Sequence, residues 1–330
     1  MPLPPRVLTA DRGDAGRRVD LVLRRHLTDL RRATRTRVQA WIEDGRVSIN
    51  GAVVRRVSTR AAFGDSVIVE LPDEQPRAPM MGEPGQLDCL FEDAHLLIVN
   101  KPAGVVSHPT FLHTSGSLLN VVLHYASGWP TGQRPSLVGR LDKLTSGLVI
   151  VAKTAEAHAR LQRTLASSFS EKSYLAVVYG PVNRERGSID LRLSRDPDDR
   201  RRVIATTDEG LTSFTHFERR VQADASGCPV ALMRCQIVTG RMHQVRVHMA
   251  TSGWPLVGDP KYGEPRWEQC QDEAQRDALA RFPRQALHSS RTAFVHPFTQ
   301  ERIEVEAPVP DDMRELMDLC GLHGGEHGPT

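Results

Sequence analysis

Between Pro72 and Gln86 the chain runs PDEQPRAPMMGEPGQ, with four prolines, two glycines and no apolar period. Each proline fixes φ and lacks a backbone donor, so neither a helix nor an interior strand crosses such a stretch. It reads as a linker over 73–86, and it divides the chain into two folded units. A length of 330 residues suits that division, being too long for one average domain. The expected organisation is a flexible N-terminus over 1–14, a small α/β unit over 15–72, a larger unit over 87–315 and a tail over 316–330 whose end, GLHGGEHGPT, reads as disordered.

Arginine is concentrated at the start of the small unit. Arg17, Arg18, Arg24, Arg25, Arg31, Arg32, Arg35 and Arg37 make a local positive field, although the whole chain carries a net charge of only +3. Val19, Leu21, Val22 and Leu27 are spaced to pack inward from one helix, and Val38, Trp41 and Ile42 from a second. A turn at 43–46 leads to VSINGAVV, where Asn50-Gly51 is the strongest short hairpin signal. DSVIVEL then predicts a last strand from Asp65 to Leu71.

The larger unit opens with LDCLFEDAHLLIVNKPAG, a strand, a turn and a second apolar strand. Strand signals recur at YLAVVYG, ALMRCQIV, HQVRVHM and RIEVEAP, and helical periods at AEAHARLQRTL and DEAQRDALARF. This mixture predicts an α+β fold around a large, mixed but mainly antiparallel sheet flanked by helices and loops. No stretch approaches the roughly 20 consecutive apolar residues that span a bilayer, and no apolar run follows the first basic residues. Neither a membrane protein nor a secreted one is expected, and the expected compartment is the cytoplasm. The five cysteines are scattered and form no C-x-x-C pair, which predicts reduced thiols with no disulfide framework and no zinc knuckle.

Three segments carry side chains suited to chemistry. In GRLDKLTSGLVIVAK (139–153), Asp142 is flanked by Arg140 and Lys143 and precedes an apolar run that reads as a buried strand. Fixed cations favour the charged form of a neighbouring carboxylate, as a nucleophile or base requires; the same triplet also suits a salt-bridged loop before a strand. In EKSYLAVVYG, Lys172 and Tyr174 share one strand face, and Tyr174 is either core packing or a ring for stacking on a base. The third segment is TGRMHQVRVHMATSGWPLVGDPKYG (239–263). As a strand it places Gln244, Arg246 and His248 on one face and Val245, Val247 and Met249 on the other, with a guanidinium aimed where a carboxylate can meet it. His243 and His248 then fall on opposite faces with no third ligand evident, so no metal is expected. The sequence holds no G-x-S-x-G, no G-x-x-x-x-G-K-[ST] and no G-x-G-x-x-G turn between strand and helix, and nothing in it asks for a cofactor.

Taken in order, these segments closely resemble the RluA family of pseudouridine synthases from about Leu87 to Asp312. NKPAGVVSHP (100–109) resembles the family's opening motif and GRLDKLTSGLVIVAK its catalytic motif. EKSYLAVVYG, TGRMHQVRVHM and LHSSRTAFVHPFTQERIEVEAPVPDD match in order and spacing. Gly139 stands where many members have histidine, and GRLD is more usual in the neighbouring RsuA family, but HQVRVHM and VGDPKYG follow the RluA pattern. The basic unit up to Leu71 is similar to the S-four type RNA-binding domain.

The resemblance implies the pseudouridine synthase fold and an isomerase that detaches a uracil within folded RNA and reattaches it through carbon. It implies Asp142 as nucleophile or base, Tyr174 as the ring stacked on the target uracil and Arg246 as the partner of Asp142. Arg140 would contact the flipped nucleotide or fill its place, with Lys143, Lys172, Arg241, His243, Gln244 and Lys261 as further substrate contacts. Arg24, Arg25, Arg35, Arg37 and Arg46 would bind RNA from the small domain. The expected partner is RNA, ribosomal RNA of the large subunit in preference to transfer RNA, and a monomer needing neither cofactor nor metal suffices. The competing readings are a transfer RNA synthase, a non-catalytic RNA-binding or ribosome-assembly factor on the same fold, and a metal hydrolase using His243, His248 and Asp259.

Overall fold

The structure, a computed structural model, describes residues 4–27, 30, 33–71, 80–109, 115–223 and 227–323. Arg31, Arg32, Pro72 at the end of the small unit, residues 73–79 of the expected linker and residues 324–330 of the expected tail lie outside the described residues. The chain divides into two compact units, Met1–Pro79 and Met80–Thr330.

The first unit contains β1 (Arg6–Thr9), α1 (Val19–His26), α2 (Arg35–Glu43), β2 (Val47–Ile49), β3 (Ala52–Val54) and β4 (Ser66–Val69), with an antiparallel sheet in the order β1-β4-β2-β3. Val19, Leu23, Leu27, Val38, Trp41 and Ile42 close over Val47, Val67 and Val69 of the sheet. Asn50 and Gly51 join β2 to β3 with φ of 51° and 84°, the pair of positive values that a two-residue type I′ turn requires. Two expectations are corrected here. Residues 6–9, read as part of a flexible N-terminus, form a strand paired with Ser66–Val69; four residues are too few to show a period. Leu21, expected to face inward, is 41% exposed, while Asp20 takes an interior position, held by Arg18 and Gln39.

The second unit begins with β5 (Cys89–Glu92), β6 (Leu96–Lys101), α3 (Leu118–Tyr125), β7 (Ser136–Val138) and β8 (Ser146–Ala152). It continues through α4 (Ala155–Leu165), β9 (Glu171–Tyr179), β10 (Arg186–Arg195), β11 (Val203–Thr206), β12 (Leu211–Ala223) and β13 (Val230–Ile237). It ends with α5 (Gln244–Thr251), α6 (Glu273–Arg281), β14 (Leu287–Val295), β15 (Arg302–Glu306) and α7 (Asp311–Leu319). Among the described residues these strands build one sheet of eleven, with the main path β11-β10-β12-β13-β9-β14-β8-β6-β5, β15 added to β14 and β7 to β8. Every pairing is antiparallel except β14 with β8. At that parallel junction Gly147 has φ 109°, and a Cβ on it would overlap the carbonyl of Ser289, so only glycine lets the two strands meet there.

Both faces of the central strands are buried. On β9, Tyr174, Ala176 and Val178 join the core of Leu97, Val99, Val149 and Val151, whereas Val177 and Tyr179 face α6 and α7. The helix α7 corrects the expected tail: Met313, Leu316, Met317 and Cys320 repeat at helical spacing and are buried, as is Leu322, so the fold extends past 315 to at least 322. The linker is also shorter than expected. Glu83 N donates to Asn120 O (2.9 Å) and Asn120 Nδ2 to Met81 O (2.9 Å), which ties residues 80–86 to α3. Among the described residues no helix is long and apolar enough to cross a membrane.

The largest correction concerns HQVRVHM, expected as a strand and found as the helix α5. Its alternation does not separate an inner from an outer face, because Gln244 through Met249 are all buried. Val245 and Met249, one turn apart, enter the main core, and Val247 packs separately on Leu193 and Val203. β-branched residues favour strands only weakly, and burial on every side of the segment overrides that preference.

Candidate active site

The loop between β7 and β8 carries Asp142, and it is held from two sides. Ser107 Oγ donates to Leu141 O (2.9 Å) and accepts from Leu141 N (3.1 Å). Lys101 is fully buried, and its Nζ donates to the carbonyls of Pro102 (2.7 Å), Val105 (2.8 Å) and Lys143 (3.3 Å). Burial pushes the Lys101 pKa down to about 7, with the nearby Arg284 charge adding to the effect and Asp142 opposing it. Three acceptors call for three donors, which only the ammonium form supplies. From the other side Arg284 Nη1 donates to Leu144 O (3.3 Å) and Gln285 Nε2 to Thr145 Oγ1 (3.0 Å). The opening motif NKPAGVVSHP thus serves as the floor of the Asp142 loop.

Arg246 reaches that loop from the first turn of α5. Its Nη1 donates to Asp142 Oδ2 (2.9 Å), while Nε and Nη2 form a fork on Asp259 (2.8 Å each). Asp259 is buried and also accepts from the backbone N–H groups of Lys261 (2.9 Å) and Tyr262 (3.1 Å). Burial disfavours both charges, but the Arg246 bonds and the two backbone donors outweigh it and hold the Asp259 carboxyl below its ordinary pKa. For Arg246, burial is likewise outweighed, by the Asp259 hydrogen bonds and the charges of Asp259 and Asp142, so its guanidinium is raised above the ordinary value. Asp142 itself keeps 19% of its side chain exposed, against 0% for Asp259. One carboxylate therefore anchors the arginine and the other is presented to solvent.

Asp142 and Arg246 open into a cleft of about 60 Å³ whose apolar wall includes Leu141, Tyr174, Ile237, Val245 and Leu287. Arg140, Arg241 and His243 supply its polar rim. Of the residues expected to contact substrate, Gln244 borders the cleft with its amide fully used: Oε1 accepts from Thr239 Oγ1 (2.8 Å) and Arg241 N (3.0 Å), and Nε2 donates to Phe214 O (3.0 Å) and Thr215 Oγ1 (2.9 Å). It anchors the start of α5 to the preceding loop and to β12. Lys143, Lys172 and Lys261 are not among the lining residues, and Lys261 Nζ donates to Arg201 O (2.9 Å). In the first unit Arg24 and Arg35 are exposed and Arg37 and Arg46 are half-buried, while Arg25 is committed to Asp11 (2.7 Å) and Asp14 (2.8 Å).

His243, His248 and Asp259 do not assemble as a metal site. His243 Nδ1 lies 2.8 Å from Tyr262 Oη, His248 Nε2 lies 2.7 Å from Ser213 Oγ, and Asp259 is occupied by Arg246. Sequence reasoning passed over Lys101, Ser107 and Tyr262. All three lie in motifs whose pattern was legible, NKPAGVVSHP and VGDPKYG, but the bonds that tie Lys101 and Ser107 to the Asp142 loop and Tyr262 to His243 and Val203 span 19 to 59 residues and leave no local signal.

A family model described as RNA pseudouridylate synthase matches residues 95–251, and an S4 domain model matches residues 17–67. The chain is 39% identical over 322 residues to the uncharacterized RNA pseudouridine synthase YlyB of Bacillus subtilis (strain 168), covering 96% of this chain and 98% of the relative. It is 35% identical over 321 residues to ribosomal large subunit pseudouridine synthase D of Escherichia coli (strain K12), covering 97% and 95%. Among solved structures, human RNA pseudouridylate synthase domain containing 1 matches with TM-score 0.52 at 26% identity, over 68% of this chain and 86% of that one. The human domain containing 4 protein matches with TM-score 0.56 at 19% identity, over 71% and 93%, a likeness of fold alone.

Proposed function

Because the chain belongs to the RNA pseudouridylate synthase family, a family of isomerases, we propose that it converts uridines of large-subunit ribosomal RNA to pseudouridine, with Asp142 as the carboxylate that starts cleavage of the glycosidic bond. The observation that carries this reading is the 2.9 Å bond from Arg246 to Asp142 at a cleft walled by Tyr174. The ribosomal substrate is supported by relatives named ribosomal large subunit pseudouridine synthase D. A cytoplasmic location goes with that substrate.

The reaction breaks the glycosidic carbon–nitrogen bond and forms one carbon–carbon bond, the ring carbon that joins the sugar losing its proton and the freed ring nitrogen gaining one, so it is redox-neutral and requires no energy source. Asp142 acts either on the anomeric carbon or on a neighbouring sugar proton, and both routes use a carboxylate held in place beside the ribose. Tyr174 stacks on the uracil and keeps the detached base near the sugar while it turns, a proximity effect. A paired or stacked uridine reaches this cleft only by flipping out, at a cost of a few kcal/mol. Arg140, exposed beside Asp142, contacts the everted nucleotide or fills the gap it leaves. Phosphate contacts from the first unit offset that cost.

The test is to map pseudouridines in total RNA from cells with and without this gene. A large-subunit ribosomal site should vanish on deletion and return with the wild-type gene but not with Asp142→Asn, whose protein should still bind the RNA. A change confined to transfer RNA would move the substrate to the competing reading, and restoration by Asp142→Asn would remove Asp142 from its role.

A further inference from the structure

His243 is one of three non-glycine residues with positive φ among the described residues, at 57°, and it forms the N-cap of α5. A left-handed backbone at such a residue costs of order 1 kcal/mol and persists where the surroundings fix it, often at functional sites. Here it brings the imidazole Nε2 to 3.7 Å from Asp142 Oδ2 and leaves Nδ1 at 2.8 Å from Tyr262 Oη. The Tyr262 hydroxyl already accepts the Val203 N–H (2.8 Å), so its own proton is available for donation to Nδ1. A neutral imidazole that accepts at Nδ1 carries its proton at Nε2. Burial pushes the His243 pKa down to about 4, with the charges of Asp142 and Asp259 opposing that fall and those of Arg246 and Lys261 adding to it, so the neutral ring is the form present near pH 7.

Tyr262 is itself well fixed. Its backbone N–H donates to Asp259 (3.1 Å), and the guanidinium groups of Arg246 and Arg202 lie 5.0 and 5.3 Å from its ring centre. One short segment, 259–262, therefore supports two arms, Asp259–Arg246 and Tyr262–His243, and both arms point to Oδ2 of Asp142.

Resting on the assignment of Asp142 as the reacting carboxylate, we propose that His243 is a positioning residue, locked as its Nε2–H tautomer by Tyr262, which closes onto Asp142 Oδ2 alongside Arg246 and leaves Oδ1 to meet the ribose. The 3.7 Å gap exceeds a hydrogen bond, and contacts of this kind tighten when substrate fills the cleft.

The experiment combines single-turnover rates at saturating ribosomal RNA, RNA affinity, thermal unfolding and ¹⁵N imidazole spectra of the full chain. His243→Ala lowers the rate about tenfold, the scale of one charge-assisted hydrogen bond, with RNA affinity unchanged. His243→Gln, whose amide N–H reaches toward the Nε2 position, recovers most of the rate. His243→Gly relieves the backbone strain, so its rate falls as in the alanine variant while its unfolding temperature does not. Tyr262→Phe releases the tautomer, seen as a loss of the acceptor signature at Nδ1. An unchanged rate in His243→Ala, an equal loss in the alanine and glutamine variants, or a wild-type ring protonated at Nδ1 overturns the proposal. A wild-type protein inactive on every RNA offered would instead sink the activity reading, and the spectrum would then decide the relay alone, a proton at Nε2 upholding it and one at Nδ1 ending it.

Discussion

Arg246 donates to Asp142 with one nitrogen and to Asp259 with two, so a single planar side chain sets both the stability of α5 and the place of the proposed reacting carboxylate. Replacing it by alanine leaves Asp259 buried without its cation, and such a loss costs about 3–5 kcal/mol. Arg246→Lys keeps the charge but cannot reproduce the fork. The lysine variant should therefore unfold at a denaturant concentration between those of wild type and alanine, yet lose about 10²-fold in single-turnover rate through misplacement of Asp142. A lysine variant with wild-type rate would show that charge alone suffices. At this scale Asp142 and Tyr174 were legible as residue types in ordered motifs. The second half of the Arg246 contact was not, since Asp259 is thirteen residues away and entered the sequence reading only as a possible metal ligand.

Among elements, α1 shows how a helix is held by a residue outside it. Asp14 precedes the helix and turns back to its last turn, accepting from Arg25 (2.8 Å) and pairing with His26 (2.7 Å), where cations also suit the helix dipole. Burial opposes its charge, but His26, the Asp11 backbone and Arg25 outweigh it and lower its pKa from 3.8 to about 2. A depressed carboxylate pKa means the folded state releases the proton more readily. The stabilisation is thus complete above about pH 4 and lost as pH falls through 2. Asp14→Asn should cost about 2 kcal/mol at pH 7 and almost nothing near pH 2, measured by urea unfolding of the first unit's sheet at each pH; an equal cost at both would exclude the ion pair as its source. The contrast between α1 and α5 is instructive. The helical period of α1 is visible because one side stays wet, whereas α5 is enclosed on every side and its alternation of valine with polar residues imitates a strand.

For the whole molecule, the division into Met1–Pro79 and Met80–Thr330 separates a basic module from the unit that holds Asp142, Tyr174 and Arg246. Removing residues 1–79 leaves the docking of residues 80–86 on α3 intact, so the remaining chain should fold, bind RNA more weakly and show a flatter dependence of affinity on salt. An unchanged salt slope, read from filter binding across a range of ionic strength, would reduce the arginines to a solvated face. By itself the sequence determined the two-unit plan, the hairpin at Asn50-Gly51, the apolar strands and the order of the motifs, because each depends on neighbours a few residues apart. Only the tertiary structure decided that β1 and the end of α7 belong to folded units, that HQVRVHM coils, that Lys101 and Ser107 underlie the Asp142 loop and that Tyr262 faces His243. Those outcomes depend on groups brought together across tens or hundreds of residues, where burial and hydrogen-bond satisfaction outweigh anything a local pattern can express.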